Sequence, residues 1–294
     1  MDLSAHAVPL PRLAGGERPL RPDRGGYTVT MREDENTAAV LRFLACLPRQ
    51  GIRLHLGWGS FRNLDIMAAR RSDYAVLCDI NLHQFRVWRA VRHAIVGAAN
   101  ADQFLTGVVR RLPRRPPLRQ FVQDPHFWLA AEWDRAESWL YRGAPERYAH
   151  IRRCFLERRI RHVCLNLIAP PGSFRSLATK LAAHARIGPW HLDTIYVSNI
   201  PFMLQRPRGF FDEPLPAGVQ HPRDVSGRIL ANLSALPWQA AWVITAEHAA
   251  SHSRPEDRQW RTELYRAEAY RRLCLAGEAD CVQGAGQMAV DLPA

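Results

Sequence analysis

Residues 52–81, IRLHLGWGSFRNLDIMAARRSDYAVLCDIN, decide the fold of this chain. The segment 52–60 reads as a strand that runs into a glycine-flanked turn, and 61–71 reads as a helix. The segment 74–81 reads as a buried strand that ends on an acid. Strand, helix and strand in this order predict a βαβ unit and therefore a parallel sheet.

The alternation continues along the chain in both directions. Apolar residues recur every three or four positions in 37–47, which predicts an amphipathic helix behind the acidic stretch 33–35. Further helices are predicted at 82–99, at 173–185 with Ser173 as the cap, and at 256–277; further strands are predicted at 26–30, 160–168, 192–200, 238–246 and 286–292. The segment between 200 and 238 reads as a loop.

These elements predict an α/β fold with a Rossmann-like, doubly wound and mainly parallel sheet. The βα rhythm stops at about 107–158, where a proline-rich break is followed by a stretch rich in Trp, Phe and Arg. This stretch is predicted to be a helical insertion. Residues 1–26 are rich in Pro, Arg and Gly and are predicted to be a flexible extension, which leaves 27–294 as one domain.

Composition excludes several classes of protein. The 294 residues are 47% hydrophobic and 23% charged, which is too apolar for a disordered chain and too mixed for a membrane protein. Six cysteines occur without a C-x-x-C pair, and the histidines are dispersed. This pattern predicts reduced thiols in a cytoplasmic protein and no metal site.

The formal net charge of +12 points to anionic partners, but the basic residues are unusual. Lys180 is the only lysine among 40 basic residues. A nucleic-acid surface usually mixes lysine with arginine, so the near-complete use of arginine is more typical of the coding bias of a GC-rich bacterial genome. The excess charge still attracts anions, and RNA therefore stays open as a partner.

Small and polar residues stand where the predicted strands end. In an open parallel sheet, ligands bind beyond the carboxyl ends of the strands, at the point where the strand order reverses. The residues at these ends, which form the predicted cofactor-binding set, are Gly57, Trp58, Gly59, Ser60, Asp79, Asn81, Asn166 and Ser198.

The first two strand ends together describe a nucleoside site. Gly57 and Gly59 let a ligand approach the backbone, because a Cβ there would collide with it. Asp79 follows Gly57 by 22 positions and can accept hydrogen bonds from ribose hydroxyls. The alternative is a tight turn next to a solvated aspartate. A dinucleotide site is disfavoured because Arg62 replaces the third glycine of G-x-G-x-x-G.

The order of GWGS, YAVLCD, CLN and YVSNIPF over about 35–247 resembles the class I S-adenosylmethionine-dependent methyltransferases, and in particular a poorly characterised bacterial methyltransferase-like group. The resemblance implies S-adenosylmethionine as the cofactor. Gly57 and Gly59 would then line its methionine part, Asp79 would hold the ribose, and Asn166 would stand near the adenine edge.

The fourth strand end carries the predicted catalytic residues Asn199, Pro201 and Phe202. The sequence N-I-P-F at 199–202 resembles the N-P-P-Y and N-L-P-Y motifs of methyltransferases that act on amino nitrogens. A carboxamide oxygen and a neighbouring carbonyl can accept both hydrogens of an amino group, while the aromatic ring stacks on a planar substrate. The alternative is that Asn199 caps a turn, Pro201 ends the strand and Phe202 packs inside.

The expected function is methyl transfer to a small molecule or a peptide. Two alternatives remain open at the level of the sequence: an RNA-modifying methyltransferase, which the basic surface favours, and a non-catalytic methyltransferase-like partner in a biosynthetic pathway. The second is favoured by His55, Phe61 and Asn166, which stand where the family usually has an acid, a glycine and an acid.

Overall fold

A computed structural model describes residues 36–59, 61–111, 134–183, 190–198, 200–201, 222–248 and 260–276. Within these ranges the chain forms six strands and eight helices, so the α/β class predicted from the sequence is confirmed. The strands are β1 (Ile52–Trp58), β2 (Tyr74–Asp79), β3 (Ile160–Cys164), β4 (Trp190–Ser198), β5 (Trp242–His248) and β6 (Trp260–Arg266). The helices are α1 (Thr37–Cys46), α2 (Arg62–Arg70), α3 (Leu82–Gly97), α4 (Ala101–Arg111), α5 (Pro145–Leu156), α6 (Pro171–Ala183), α7 (Pro222–Leu233) and α8 (Ala267–Ala276).

All six strands belong to one sheet in the order β3-β2-β1-β4-β5-β6. The first five strands pair in parallel, and only β6 runs antiparallel to its neighbour β5. The sheet is therefore mainly parallel, as the alternation of strands and helices predicts. The order reverses between β1 and β4, because the chain moves outward to β2 after β1 and to the opposite side after β4.

Helices cover both faces of the sheet, as a parallel sheet requires. Side chains of β2 alternate, so that Tyr74, Val76 and Cys78 lie on one face while Ala75 and Leu77 lie on the other. The first face packs against α6, α7 and α8, and the second against α2, α3, α4 and α5. A smaller cluster joins α1 to β4, β5 and β6.

Two segments differ from their sequence-based predictions. The segment 222–233, predicted as a loop, is helix α7, and its Val225, Ile229 and Leu233 form a fully buried stripe. The spacing of four is a helical signal, but Pro222 and Gly227 obscured it. Residues 256–277 were predicted as one helix. Their part 260–266 is strand β6 instead, because pairing with β5 outweighs the local helical preference.

Two helix starts also differ. Ser173 was predicted to cap a helix, but α6 begins at Pro171, since proline is favoured in the first helical turn where its missing N–H costs nothing. Helix α4 lies across the predicted start of the insertion at 107. Its amino end is capped by Asn100, whose side-chain oxygen accepts a hydrogen bond from the Gln103 amide at 3.0 Å. The predicted strands at 26–30 and 286–292 lie outside the described residues.

Candidate functional site

The candidate site lies at the carboxyl ends of β1 and β4, where the strand order reverses. In open α/β sheets this reversal opens a crevice between neighbouring loops, and ligands bind there. The register pairs Gly57 with Tyr196 two residues before the end of β4 at Ser198. The sequence-based prediction placed Gly59 and Ser198 at strand ends, and the sheet makes these two ends neighbours.

The ends of β1 and β2 are neighbours as well. Trp58 pairs with Cys78, and the Gly59 amide donates to the Cys78 carbonyl at 3.3 Å. Asp79 is the next residue of β2. The glycine turn and the acid that the sequence pairs as a nucleoside site therefore stand side by side at the same edge of the sheet.

Backbone conformation is unusual on both sides of the reversal. Gly59 has a φ of 89° and Ser198 a φ of 57°, so both lie in the left-handed region that side chains disfavour. A Cβ built on Gly59 would meet only the Ser198 Oγ, at 3.7 Å, among the described atoms. A bulge between Tyr196 and Ser198 shifts the pairing of β4 with β5. Bulges of this kind re-aim strand ends next to binding sites.

Asp79 combines a capping role with an available acceptor. Its Oδ1 accepts hydrogen bonds from the Ile80 and Asn81 amides, both at 2.8 Å, at the start of α3. Its Oδ2 has no hydrogen bond to a described residue. Burial raises the pKa of this carboxyl to about 6, although the two amide hydrogen bonds act in the opposite direction. At pH 7 the carboxylate is ionised and can accept further hydrogen bonds.

Gly57 is required by the protein's own packing. A Cβ there would lie 1.8 Å from the Asn63 Oδ1 and 2.8 Å from the His55 Nε2. The Asn63 side chain donates to the Trp58 carbonyl at 3.2 Å, so its Oδ1 is left to accept the His55 Nε2–H at 3.0 Å. The Thr194 hydroxyl then donates to the His55 Nδ1 at 2.9 Å. This polar network supports the turn from beneath.

The network also gives a reason for a histidine at position 55, where the methyltransferases that the sequence resembles usually have an acid. His55 is fully buried, and burial lowers the pKa of its ring to about 4. The ring is therefore neutral at pH 7 and can donate at one nitrogen while accepting at the other. Phe61, which replaces a glycine of the family pattern, packs against Trp88 and Trp139 in the core.

Trp58 and Asn166 organise the loop behind β3. The Trp58 indole N–H donates to the Leu165 carbonyl at 2.9 Å, and its ring stacks on Phe174. Only 1% of Trp58 is exposed, so only its backbone stands at the strand end. The Asn166 Oδ1 accepts from the Ile168 amide at 3.1 Å and closes a turn.

Two further polar residues near these loops were not predicted from the sequence. Asn232 on α7 donates to the carbonyls of Leu167 and Ala169, both at 2.9 Å, and so holds the loop after β3. Thr245 pairs with Ser198, and its buried hydroxyl has no hydrogen bond to another described residue. Asn232 could have been noticed in the sequence, because it is a polar residue next to the apolar stripe of a helix. Thr245 could not, because only the pairing of β5 with β4 places it beside Ser198.

The remaining predicted site residues are only partly described. Asn81 is half-buried, and its carbonyl accepts the Gln84 amide at 3.1 Å in the first turn of α3. Pro201 is half-buried and lies in a helical turn three residues after β4 ends at Ser198. Ser60, Asn199 and Phe202 lie outside the described residues.

Other chemistries have little support in the described ranges. No group of three or more His, Cys, Asp or Glu side chains there could hold a metal ion. Cys154 lies 3.9 Å from His150, but burial raises the pKa of its thiol to about 12, so the pair is not a nucleophilic dyad. None of the five described cysteines forms a disulfide: Cys46, Cys78, Cys154, Cys164 and Cys274. No described helix has the length and apolar character needed to cross a bilayer.

Fold and site together define an α/β protein with a candidate ligand cleft where its strand order reverses. The chain belongs to a family described as a domain of unknown function (DUF7790), whose model matches residues 49–112 and 125–211, just over half of the chain. The matched segments contain β1 to β4 and therefore every strand end of the candidate site. No curated protein matches the chain.

Proposed function

We propose that this protein is an S-adenosylmethionine-dependent methyltransferase with a Rossmann-like, doubly wound fold, acting on a small molecule or a peptide. The sheet order supports this proposal, since its reversal between β1 and β4 is where this class of fold binds nucleotide ligands. The neighbouring ends of β1 and β2 bring the glycine turn beside Asp79.

The Asp79 carboxylate is the observation that carries the proposal. Its Oδ1 is occupied by two backbone amides, and these bonds hold Oδ2 in a fixed position at the tip of β2. An ionised oxygen there is suited to accept hydrogen bonds from the hydroxyls of a ribose. Gly59 directly follows the adjacent strand β1, and a Cβ there would meet only the Ser198 Oγ, at 3.7 Å, among the described atoms.

The residues of the cleft fit the proposed cofactor in part. Asp79 would hold the ribose, Gly59 and Ser198 would admit the methionine part, and Asn166 would stand near the adenine. Gly57 fits less directly, because Asn63 fills the space next to it. The bound cofactor would supply an electrophilic methyl group on a sulfonium. The chain would therefore contribute mainly by positioning the acceptor, with Asn199, Pro201 and Phe202 as the proposed residues.

A non-catalytic partner protein of the same fold is a second candidate. The buried network of His55, Asn63 and Thr194 favours it, since these side chains occupy the interior of the turn on which the cofactor would lie. An RNA-modifying methyltransferase is the third, and the arginine excess of the chain favours it.

Calorimetric titration with S-adenosylmethionine tests the proposal. We expect binding by the wild-type protein and an affinity at least about tenfold lower for Asp79→Asn, a loss of about 1.4 kcal/mol. This substitution keeps an oxygen for the two backbone amides but removes the carboxylate. The matched control is Asp102→Asn, an exposed acid at the start of α4, which should bind as the wild type does.

Absence of heat at about 1 mM cofactor would contradict the enzyme proposal and favour the partner protein. Equal affinity of Asp79→Asn and the wild type would contradict the assignment of the cofactor's ribose to Asp79. For the RNA alternative, the logarithm of the binding constant for an RNA oligonucleotide should fall linearly with the logarithm of the salt concentration, and a flat response would contradict RNA binding.

A further inference from the structure

A second cleft lies at the opposite end of the sheet from the candidate cofactor site. It has a volume of about 210 Å³ and lies between α1, α2 and the segment 137–147. Its apolar floor consists of Leu41, Ala45, Ala68 and Ala69. Arg49 and Arg71 line it from the residues that precede β1 and β2. Because β1 is seven residues long, roughly 20 Å separate the two sites.

Four of the six charged residues that line this cleft balance each other in formal charge. The Arg42 side chain forms an ion pair with Glu137 at 3.0 Å. Arg147 donates to the carbonyls of Ala136 and Ser138, and Glu146 in the same lining brings the formal charge of Arg42, Glu137, Glu146 and Arg147 to zero. These residues give the cleft a shaped polar rim with no net charge.

Two guanidinium groups have no such compensation. Arg49 and Arg71 make no side-chain hydrogen bond or ion pair to another described residue. The neighbouring Arg53 and Arg70 are neutralised by Asp73 and Asp193, respectively. Arg49 and Arg71 line the same cleft, and partial burial together with the positive charge of Arg71 lowers the pKa of Arg49.

We propose that this cleft is a binding site for a small dianionic ligand, a phosphate monoester carried on an apolar body. Two uncompensated guanidinium groups match the charge of a phosphoryl group, and their planar forks suit its oxygens. The floor of one leucine and three alanines offers an apolar surface for the rest of the ligand. The distance from the strand ends separates this ligand from the proposed methyl-transfer chemistry.

Phenyl phosphate and inorganic phosphate are suitable probes, titrated into the full chain by calorimetry. We expect phenyl phosphate to bind at least about fivefold more tightly than phosphate, because only phenyl phosphate uses the apolar floor. The double variant Arg49→Gln/Arg71→Gln should lose at least about tenfold in affinity for both probes. The double variant Arg175→Gln/Arg272→Gln, which removes two exposed arginines from α6 and α8, is the control matched for net charge and should bind as the wild type does.

Three results would overturn the proposal. Binding of neither probe at about 10 mM would remove the site. An equal loss in Arg175→Gln/Arg272→Gln would assign the binding to the general positive charge of the surface. Equal affinity for the two probes would show that the apolar floor contributes nothing, and would contradict a ligand with an apolar body. Circular dichroism of the double variant checks that it is folded, and both arginines are exposed, so their replacement should leave the core intact.

Discussion

A single glycine shows how the turn after β1 is built. At Gly57 a side chain would enter the space held by Asn63, whose carboxamide joins the Trp58 carbonyl to the His55 ring. The glycine is therefore a condition for a buried hydrogen-bond network, in addition to its place at the edge of the candidate cleft. Buried networks of this kind are stable only when every member is satisfied.

Replacement of Gly57 by alanine should destabilise the protein by about 1–3 kcal/mol, because the new methyl group displaces the Asn63 side chain. The double variant Gly57→Ala/Asn63→Ala should cost less than the sum of its single changes. Urea unfolding measures both. Gly227→Ala is the control: this helical glycine has open space around its Cβ position, and the substitution should stabilise by up to about 1 kcal/mol. Additive effects at 57 and 63 would contradict this account.

The buried His55 and His150 and the half-buried His162 make stability depend on pH. Burial lowers the pKa of His55 and His150 to about 4 and that of His162 to about 3. In the unfolded chain their pKa values return to about 6.5, so the unfolded state binds more protons between these limits. The stability that they contribute is complete above pH 6.5 and is lost as the pH falls towards 4. Asp79, whose pKa is raised, acts in the opposite direction.

His55→Gln should therefore reduce the loss of unfolding free energy on acidification, by up to about 1.4 kcal/mol per pH unit below pH 6. Glutamine can donate to Asn63 but takes up no proton. Unfolding curves in urea at pH 7.5, 6 and 5 give the slope. His93→Gln, an exposed position on α3, serves as the control and should leave it unchanged. Parallel curves for His55→Gln and the wild type would show that His55 does not titrate in this range.

At the scale of elements, one arginine joins three segments. The Arg70 guanidinium at the end of α2 forms a two-bond ion pair with Asp193 on β4, at 2.7 and 2.8 Å. It also donates to the carbonyls of Leu44, Leu47 and Pro48, where α1 ends. These backbone oxygens would otherwise lack partners at a helix end. Arg70 thus fixes α1 against the sheet.

Arg70→Ala should destabilise the protein by about 3–5 kcal/mol, because it leaves Asp193 charged and buried without its partner. Amide exchange in α1 should become faster than in α3, since only α1 loses its attachment. Arg271→Ala is the comparison: its ion pair with Glu268 is exposed, and its removal should change stability by less than about 0.5 kcal/mol. A loss below about 1 kcal/mol in Arg70→Ala would show that α1 is held by apolar packing alone.

The whole molecule extends beyond the segments that the family model matches. Strands β5 and β6 and helices α7 and α8 all follow residue 211, where the match ends. They complete one face of the core, to which Val225, Ile229, Val243 and Tyr265 contribute as fully buried side chains. They also cover the edge of β4, which would otherwise expose unpaired backbone groups.

A fragment of residues 36–211 should therefore fail to fold, although it contains all the matched segments. It should aggregate or show a reduced and non-cooperative thermal transition, while the full chain unfolds cooperatively. Circular dichroism and size-exclusion chromatography of both proteins provide the measurement. A monomeric fragment with a sharp transition would show that β1 to β4 form an independent unit.

Much of the fold follows from local pattern. The βαβ unit at 52–81 was predicted because its apolar runs, turn residues and helix lie next to each other in the chain. The same reasoning failed at β6, where the alternation of WRTELYR is stabilised only by pairing with β5. It also failed at α7, whose proline and glycine hid a stripe of three fully buried residues.

The candidate site likewise has features that the sequence predicts and features that only the tertiary structure determines. The sequence by itself determined that small and polar residues follow the apolar runs, because this pattern is local and independent of neighbours. Only the tertiary structure decided that the ends of β1 and β4 are neighbours, that Asn63 fills the space at Gly57, and that Arg49 and Arg71 line one cleft. These relations join residues that are distant in the chain or oriented by packing, and no local periodicity encodes them.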